Sequence, residues 1–142
     1  PLLYRTCSAL RGVLVVESAF SFPSIKVTDV MERLIEFNGK PSTIRVDNGS
    51  EFIAHNFQHW CKEQQIEIKY IQPGKPMQNA YVERFNRHFR EDILDAYIFE
   101  RLDDVQELSE NWRKDYNQYH PHKSLMGMSP NQFKEKYKYM SN

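Results

Sequence analysis

The spacing of apolar residues in the first part of the chain predicts alternating strands and helices. Residues 13–16 form a continuous apolar run of strand length. Over residues 24–37 the apolar positions recur at helical spacing, and the Asn38-Gly39 pair that follows favours a helix end. Residues 43–46 have the length and composition of another short buried strand. The order strand, helix, strand is typical of an α/β protein.

The pattern continues with elements of both kinds after residue 46. Ser50 can cap a helix, and Glu51 is favourably placed in the first turn of that helix. The predicted elements are a helix over residues 50–64, a half-exposed edge strand over 66–71, a Pro/Gly loop over 72–78, and helices over 80–96 and 102–119. The chain has 142 residues, the length of one domain, and 40% of its side chains are hydrophobic, so it can bury a core of its own.

Two carboxylates have the most informative surroundings in this pattern. Asp47-Asn48-Gly49 follows a predicted strand, and Glu83 lies in the first turns of a predicted helix that Asn79 can cap. Carboxylates that come together from a strand end and a helix form an oxygen-rich site suited to Mg²⁺ or Mn²⁺. The alternatives are a simple turn at Asp47 and an exposed pair between Glu83 and Arg87.

An ordered set of motifs surrounds both acids. Its members are Gly39-Lys40-Pro41, Arg45-Val46-Asp47-Asn48-Gly49, Gln72-Pro73-Gly74-Lys75-Pro76, Asn79-Ala80-Tyr81-Val82-Glu83-Arg84-Phe85-Asn86, Asp95-Ala96-Tyr97, Tyr116-Asn117, Pro121-His122, Ser124-Leu125 and Ser129-Pro130. With these motifs the chain resembles the integrase core of bacterial insertion-sequence transposases, a retroviral-integrase-like group with an Asp, Asp, thirty-five, Glu signature. The resemblance covers residues 22–133; residues 1–21 match the family poorly, and 134–142 form a tail.

The resemblance implies a ribonuclease-H-like integrase catalytic core, an α/β fold with a mixed sheet flanked by helices. It also implies DNA transposition by phosphoryl transfer: a strand is nicked, and a 3′-hydroxyl then attacks another phosphodiester. Two Mg²⁺ or Mn²⁺ ions about 3.5–4 Å apart would be held by Asp47 and Glu83 together with a further acid. The partners implied are transposon-end and target DNA and, in an intact enzyme, further copies of the chain.

The family's first acid would precede Asp47 by roughly sixty residues, which places it before Pro1. We therefore expect a core that lacks its first strand, with an incomplete metal site and no activity as residues 1–142 alone. The alternative function is a catalytically inactive remnant that binds DNA or transposase subunits. A nuclease of the same fold is a third alternative, disfavoured because the flanking motifs are those of transposases.

Basic residues near the two acids are candidates for DNA contact. Nineteen basic and nineteen acidic side chains cancel, so any DNA contact must come from local clustering. Arg87 and Arg90 follow Glu83 by one and two helical turns, where the resembling integrases contact DNA, and Lys75 lies in the preceding loop. The alternative is an ordinary solvated helix flank and a solvated loop lysine.

Other site classes have little support in the sequence. His55 and His59 have a zinc-type i,i+4 spacing, but no third ligand is evident and the general-base glutamate of metalloproteases is absent between them. Cys7 and Cys61 form no Cys-x-x-Cys pair. His120 stands where the resembling family has arginine, which weakens a phosphate-binding role there. With no membrane span or signal peptide in the sequence, we expect a cytoplasmic protein associated with the nucleoid.

Overall fold

The computed structural model describes residues 2–6 (backbone), 12–19, 21–75, 77 and 80–138. Over these residues the chain runs β1 (Leu2–Thr6), β2 (Val13–Ser18), α1 (Ser24–Asn38), β3 (Thr43–Val46), α2 (Ser50–Ile53), α3 (His55–Glu63), β4 (Glu67–Tyr70), α4 (Ala80–Phe89), a π-helix (Arg90–Leu94), α5 (Leu102–Tyr119), a 3₁₀ turn (Lys123–Leu125) and α6 (Pro130–Tyr137). The chain divides into two compact units. The first unit is Phe20–His88, and the second combines Leu2–Ala19 with Phe89–Asn142.

Helix α1 begins the first unit and follows the predicted pattern closely. Its core-facing residues Val27, Val30 and Met31 are at most 4% exposed. The helix ends where the sequence predicts, because Gly39 adopts a positive φ of 82° and donates its N–H to the carbonyl of Ile35 at 2.9 Å. Left-handed backbone at a helix end favours glycine.

The sheet of the first unit is the parallel pair β3–β4, with Thr43 opposite Glu67 and Val46 opposite Tyr70. Ile44 and Val46 are buried at 1% and 5% exposure. In β4 exposed and half-buried residues alternate, as the period-two pattern predicts for an edge strand. In the part of the chain that the structure describes, β3 is the neighbour of β4, and the parallel pairing places the carboxyl ends of both strands at one edge.

The predicted helix over residues 50–64 is wrong in two respects. The helix is interrupted at Ala54, whose φ and ψ of −60° and 140° are extended, so that α2 and α3 are separate helices. In addition, Ser50 is the first helical residue rather than the cap, and the cap position is held by Gly49, without a side-chain cap bond.

Tertiary hydrogen bonds explain the break between α2 and α3. The hydroxyl of Tyr70 donates to the carbonyl of Phe52 at 2.8 Å, and Nε2 of Gln58 donates to the carbonyl of Ile53 at 3.2 Å. These two carbonyls would accept helical N–H groups if the helix continued, so side chains replace the lost backbone bonds. Packing against β4 therefore decides where α2 ends.

Helix α4 is shorter than the predicted helix over residues 80–96. It passes into a π-helical segment at Arg90, where the N–H of Asp95 reaches the carbonyl of Arg90 at 2.8 Å. Helical spacing predicts that Val82, Phe85, Phe89 and Ile93 face the core. Phe85, Phe89 and Ile93 do, at 0%, 1% and 5% exposure, whereas Val82 is only half-buried. The wider turn does not remove Ile93 from the buried stripe.

In the second unit, β2 pairs antiparallel with β1, a strand that the sequence pattern did not predict. Within the described residues the strands form two separate pairs, antiparallel in this unit and parallel in the first. Helix α5 lies along β2 and supplies side-chain amides to its backbone. Asn117 accepts from the N–H of Val13 at 2.7 Å and donates to its carbonyl at 2.8 Å. Gln106 accepts from the N–H of Ser18 and donates to the carbonyl of Val16.

An ion pair on α5 reinforces this contact. Arg113 donates to the Glu110 carboxylate at 2.6 and 2.8 Å and to the carbonyl of Val13 at 3.1 Å. Its guanidinium hydrogen bond holds the pKa of the Glu110 carboxyl below its usual value. The pair therefore tightens the contact between α5 and β2.

Aromatic rings and a capped helix complete the second unit. The ring of Tyr116, which is 5% exposed, stacks on His120 with 4.5 Å between centroids. Helix α6 begins with a capping box in which the Ser129 hydroxyl accepts from the N–H of Gln132 and the Gln132 side chain accepts from the N–H of Ser129. No helix within the described residues is long and apolar enough to cross a membrane.

Candidate functional site

Asp47 lies at the carboxyl end of β3 and is exposed. Its Oδ1 accepts the N–H of Gly49 at 2.8 Å, which makes the Asp-Asn-Gly sequence a side-chain-supported turn. Nδ2 of Asn48 donates to the carbonyl of Ile71 at 3.0 Å and so ties the turn to the residue after β4. The turn alternative from the sequence is therefore correct, and the same turn fixes the position of the carboxylate.

Gly49 lies at the centre of a small oxygen-lined space. A Cβ atom added there would be 2.9 Å from Oδ1 of Asp47 and 2.9 Å from each carboxylate oxygen of Glu51. The backbone of Gly49, at φ −60° and ψ 147°, is open to any residue, and the oxygens near a Cβ there are the ends of side chains that can turn away. We call the space bounded by Asp47, Gly49 and Glu51 the carboxylate cradle.

Hard oxygen donors of this kind suit Mg²⁺ or Mn²⁺. The sequence analysis treated Glu51 only as a first-turn helix acid and did not place it beside Asp47. The sequence feature that could have drawn attention to Glu51 is its position two residues after Gly49, directly after the Asp47-Asn48-Gly49 turn.

Glu83 is exposed in the first turn of α4 and belongs to the same compact unit as Asp47. Within the described ranges, no three histidine, cysteine, aspartate or glutamate side chains are grouped closely enough to hold a metal ion. Glu83 is thus not assembled with Asp47 and Glu51 in this structure. Asn79, predicted to cap α4, lies outside the described residues.

The three basic candidates are all exposed. Lys75 lies in the loop before α4, where its N–H donates to the carbonyl of Gln72 at 3.2 Å. Arg87 lies on α4 in the first unit, and Arg90 begins the π-helix in the second unit. Each guanidinium is therefore accessible to a phosphate group.

The histidine pair on α3 forms a surface contact. The rings of His55 and His59 are nearly parallel, with centroids 5.9 Å apart, and Nε2 of His59 lies 3.3 Å from Oε1 of Glu63. The structure adds no third metal-binding side chain to this pair among the residues it describes.

Comparison with known protein families shows which family the chain belongs to. Two models described as integrase core domain match the chain, one over residues 13–76 and the other over residues 64–130. The chain belongs to the integrase core domain family. The matched ranges include Asp47, Glu51 and Glu83, so the acids discussed above all lie within the integrase core.

Individual relatives agree with this assignment. The chain is 34% identical over 125 residues to an uncharacterized 31.7 kDa protein of insertion element IS407 from Burkholderia multivorans, a match that covers 88% of this chain and 44% of the relative. It is 38% identical over 112 residues to a 39.2 kDa protein of insertion element IS476 from Xanthomonas euvesicatoria, covering 79% of this chain and 32% of the relative. The chain thus spans less than half the length of these curated relatives.

A solved structure shows the fold. The catalytic core domain of HTLV-2 integrase, determined in complex with magnesium, superposes with a TM-score of 0.66 at 21% identity and covers 93% of this chain and 81% of that one. This integrase core therefore has the ribonuclease-H-like α/β fold that the sequence resemblance implied.

Proposed function

We propose that this integrase core acts in DNA transposition, as part of a metal-dependent phosphotransferase that nicks a DNA strand and joins its 3′ end to another strand. The observation that carries the proposal is the placement of Asp47. Its carboxylate is held by the turn at the carboxyl end of β3, beside the carboxylate cradle, in a chain of the integrase core family.

Each acid has a distinct part in this proposal. Asp47 is a metal ligand fixed by the N–H of Gly49, and Glu83 is a ligand carried by the first turn of α4. Mg²⁺ or Mn²⁺ bound there supplies activation of the attacking hydroxyl and stabilisation of the leaving oxygen. The proposal requires that Glu83, on α4, share the metal site with Asp47, at the end of β3.

The basic side chains have the complementary part of holding the substrate. Lys75, Arg87 and Arg90 are exposed and can each contact a DNA phosphate. Such contacts carry no base specificity, so they position the phosphodiester without selecting a sequence.

Metal binding is the first test of the proposal. In Asp47→Asn, calorimetric titration should show loss of Mn²⁺ binding, because one hard charged ligand is replaced by a neutral amide. Glu83→Gln should also weaken binding, because Glu83 is proposed to bind the same ions. Asp29→Asn, an exposed change on α1, is the matched control. Equal Mn²⁺ affinity in Asp47→Asn and wild type would remove Asp47 from the site.

DNA strand transfer tests the chemistry. A protein that contains this core should join DNA carrying the ends of its own element to target DNA, and Asp47→Asn or Glu83→Gln should lower the rate by several orders of magnitude, because ligands of one site act as a unit. Retention of transfer in both variants would refute the mechanism.

A non-catalytic role as a DNA-binding or subunit-binding module is the second candidate. The bond from the N–H of Gly49 to Asp47 favours it, because Asp47 then has a structural role that needs no metal. This candidate predicts DNA binding that is insensitive to Mn²⁺ and unchanged in Asp47→Asn. The metalloenzyme proposal predicts that Mn²⁺ strengthens DNA binding and that Asp47→Asn removes this effect. The same variant therefore separates the two candidate functions.

A further inference from the structure

We infer that Arg45 and Lys69, which lie opposite each other on β3 and β4, together bind one phosphate of the DNA backbone. The inference rests on the proposed function, in which DNA is the substrate, and it adds two residues to the substrate-binding set. The ligand is a phosphodiester, and the role of the two side chains is to hold it beside Asp47.

The register of the parallel pair places the two cations next to each other. Arg45 of β3 is the partner of Lys69 of β4, and neighbouring strands lie about 4.8 Å apart. The preceding partners on the same face are in direct contact, since the hydroxyl of Thr43 donates to Oε2 of Glu67 at 3.1 Å. Arg45 and Lys69 therefore leave the sheet on the same side, as close neighbours.

The face that carries this pair is open to solvent. On β3, Ile44 and Val46 are buried, and Arg45 between them is exposed. On β4, the side chain of Lys69 is 53% exposed. Both cations can thus reach a ligand without a change in the fold of this unit.

Like charges in this arrangement favour an anionic ligand. Two like charges directly opposite each other destabilise a sheet, whereas an anion bound between them is attracted to both. A guanidinium can also hold two oxygens of one phosphate through parallel hydrogen bonds. Glu67 lies 3.5 Å from Nζ of Lys69, but its side chain is 61% exposed, so water screens this pair and a phosphate can compete with it.

The position along β3 relates the pair to the proposed metal site. Asp47 follows Arg45 by two residues, a distance of about 6.6 Å at the usual rise of about 3.3 Å per residue. The ladder continues to this point, because the N–H of Ile71 donates to the carbonyl of Val46 at 3.0 Å. A phosphate held by Arg45 and Lys69 therefore lies near the Asp47 carboxylate. Contacts of this kind position DNA without reading its sequence.

The salt dependence of DNA binding tests the pair. In Arg45→Gln with Lys69→Gln, the slope of log affinity against log salt should fall by about 0.9, the value for one phosphate of duplex DNA. Fluorescence anisotropy at several salt concentrations measures this. The fall should be equal for a duplex carrying the ends of the element and for an unrelated duplex, because a phosphate contact is independent of sequence.

The matched control is Lys40→Gln with Lys62→Gln, which removes the same charge from exposed positions of the same unit. The control should keep the slope of the wild type. An unchanged slope in the Arg45 and Lys69 variant, or an equal fall in the control, would overturn the inference. A fall about twice as large would mean two separate phosphates and would overturn the shared site.

Two further measurements separate a phosphate contact from a structural role. Arg45→Lys with Lys69→Arg exchanges the two cations and should keep the slope of the wild type, because both charges remain. The melting temperature of the double glutamine variant should not fall, since the change removes a like-charge pair. A lower melting temperature together with the loss of DNA binding would show that the pair holds the sheet together instead.

Failure of this inference can be distinguished from failure of the proposed function. If the double glutamine variant binds DNA as wild type does while Asp47→Asn loses Mn²⁺ binding and strand transfer, the inference is wrong and the proposed function stands. If Asp47→Asn keeps both while the double glutamine variant shows the smaller slope, the proposed chemistry is wrong. Arg45 and Lys69 are then a phosphate contact of a non-catalytic DNA-binding module.

Discussion

At the scale of single residues, the side-chain amides of α5 show that a residue of a family motif can have a structural role. Asn117, in the Tyr116-Asn117 motif, binds both backbone groups of Val13, and Gln106 binds the backbone of Val16 and Ser18. Buried backbone groups need hydrogen-bond partners, and these amides supply them. The motif residue therefore ties α5 to β2.

Asn117→Ala should lower the free energy of unfolding by about 1–3 kcal/mol, because it leaves a buried N–H of β2 without its acceptor. Urea denaturation followed by circular dichroism measures this. Asn131→Ala is the matched control, since Asn131 is exposed and its amide donates to the exposed Gln118. A loss in Asn117→Ala no larger than in the control would mean that water replaces the amide.

At the scale of elements, two serines in similar positions behave differently. Ser129 caps α6 through a capping box, whereas Ser50 becomes the first residue of α2. The sequence distinguishes the two serines. Gln132 stands three residues after Ser129 and can complete the capping box, whereas the residue three after Ser50 is Ile53, which cannot. A capping prediction based on serine alone was therefore wrong at Ser50.

Ser129→Ala should destabilise the protein by about 1 kcal/mol, within the usual range of about 0.5–2 for a lost cap. Because Ser129 is only 1% exposed, water cannot readily replace its hydroxyl, so the loss should lie above the low end of that range. Ser124→Ala, in the exposed part of the 3₁₀ turn, should change stability by less than about 0.5 kcal/mol. Thermal unfolding of both variants compares the two hydroxyls, and equal midpoints would contradict a stabilising cap.

At the scale of the whole molecule, a net charge of zero limits how this core can hold DNA. Binding must depend on local groups such as Arg87 and Arg90, and it should be weak, sensitive to salt and largely independent of sequence. Neutral net charge supplies no long-range attraction to compensate for the loss of such contacts.

The double variant Arg87→Ala with Arg90→Ala should flatten the dependence of DNA affinity on salt. Each lost phosphate contact should lower the slope of log affinity against log salt by about 0.7–0.9, depending on whether the DNA is single- or double-stranded. Lys134→Ala with Lys136→Ala removes the same charge from exposed positions on α6. Fluorescence anisotropy at several salt concentrations measures both, and an unchanged slope in the arginine variant would show an ordinary solvated flank.

The sequence by itself determined the kinds of element, their order and the family. Apolar spacing gave α1, β3, β4 and α5 with bounds close to the observed ones, and three of the four residues of the predicted core stripe, Phe85, Phe89 and Ile93, are buried. The motifs around Asp47 and Glu83 identified the integrase core. These features depend on residues a few positions apart, which is why they can be read from the chain alone.

Only the tertiary structure decided the features that depend on distant residues. The break at Ala54 follows from Tyr70, whose hydroxyl donates to the carbonyl of Phe52 in α2. The hydrogen bonds between Asn117 and Val13 join positions 104 residues apart. The bond from Asn48 to Ile71 likewise joins positions 23 residues apart. A periodic pattern fixes which way a residue faces but not which distant group it meets.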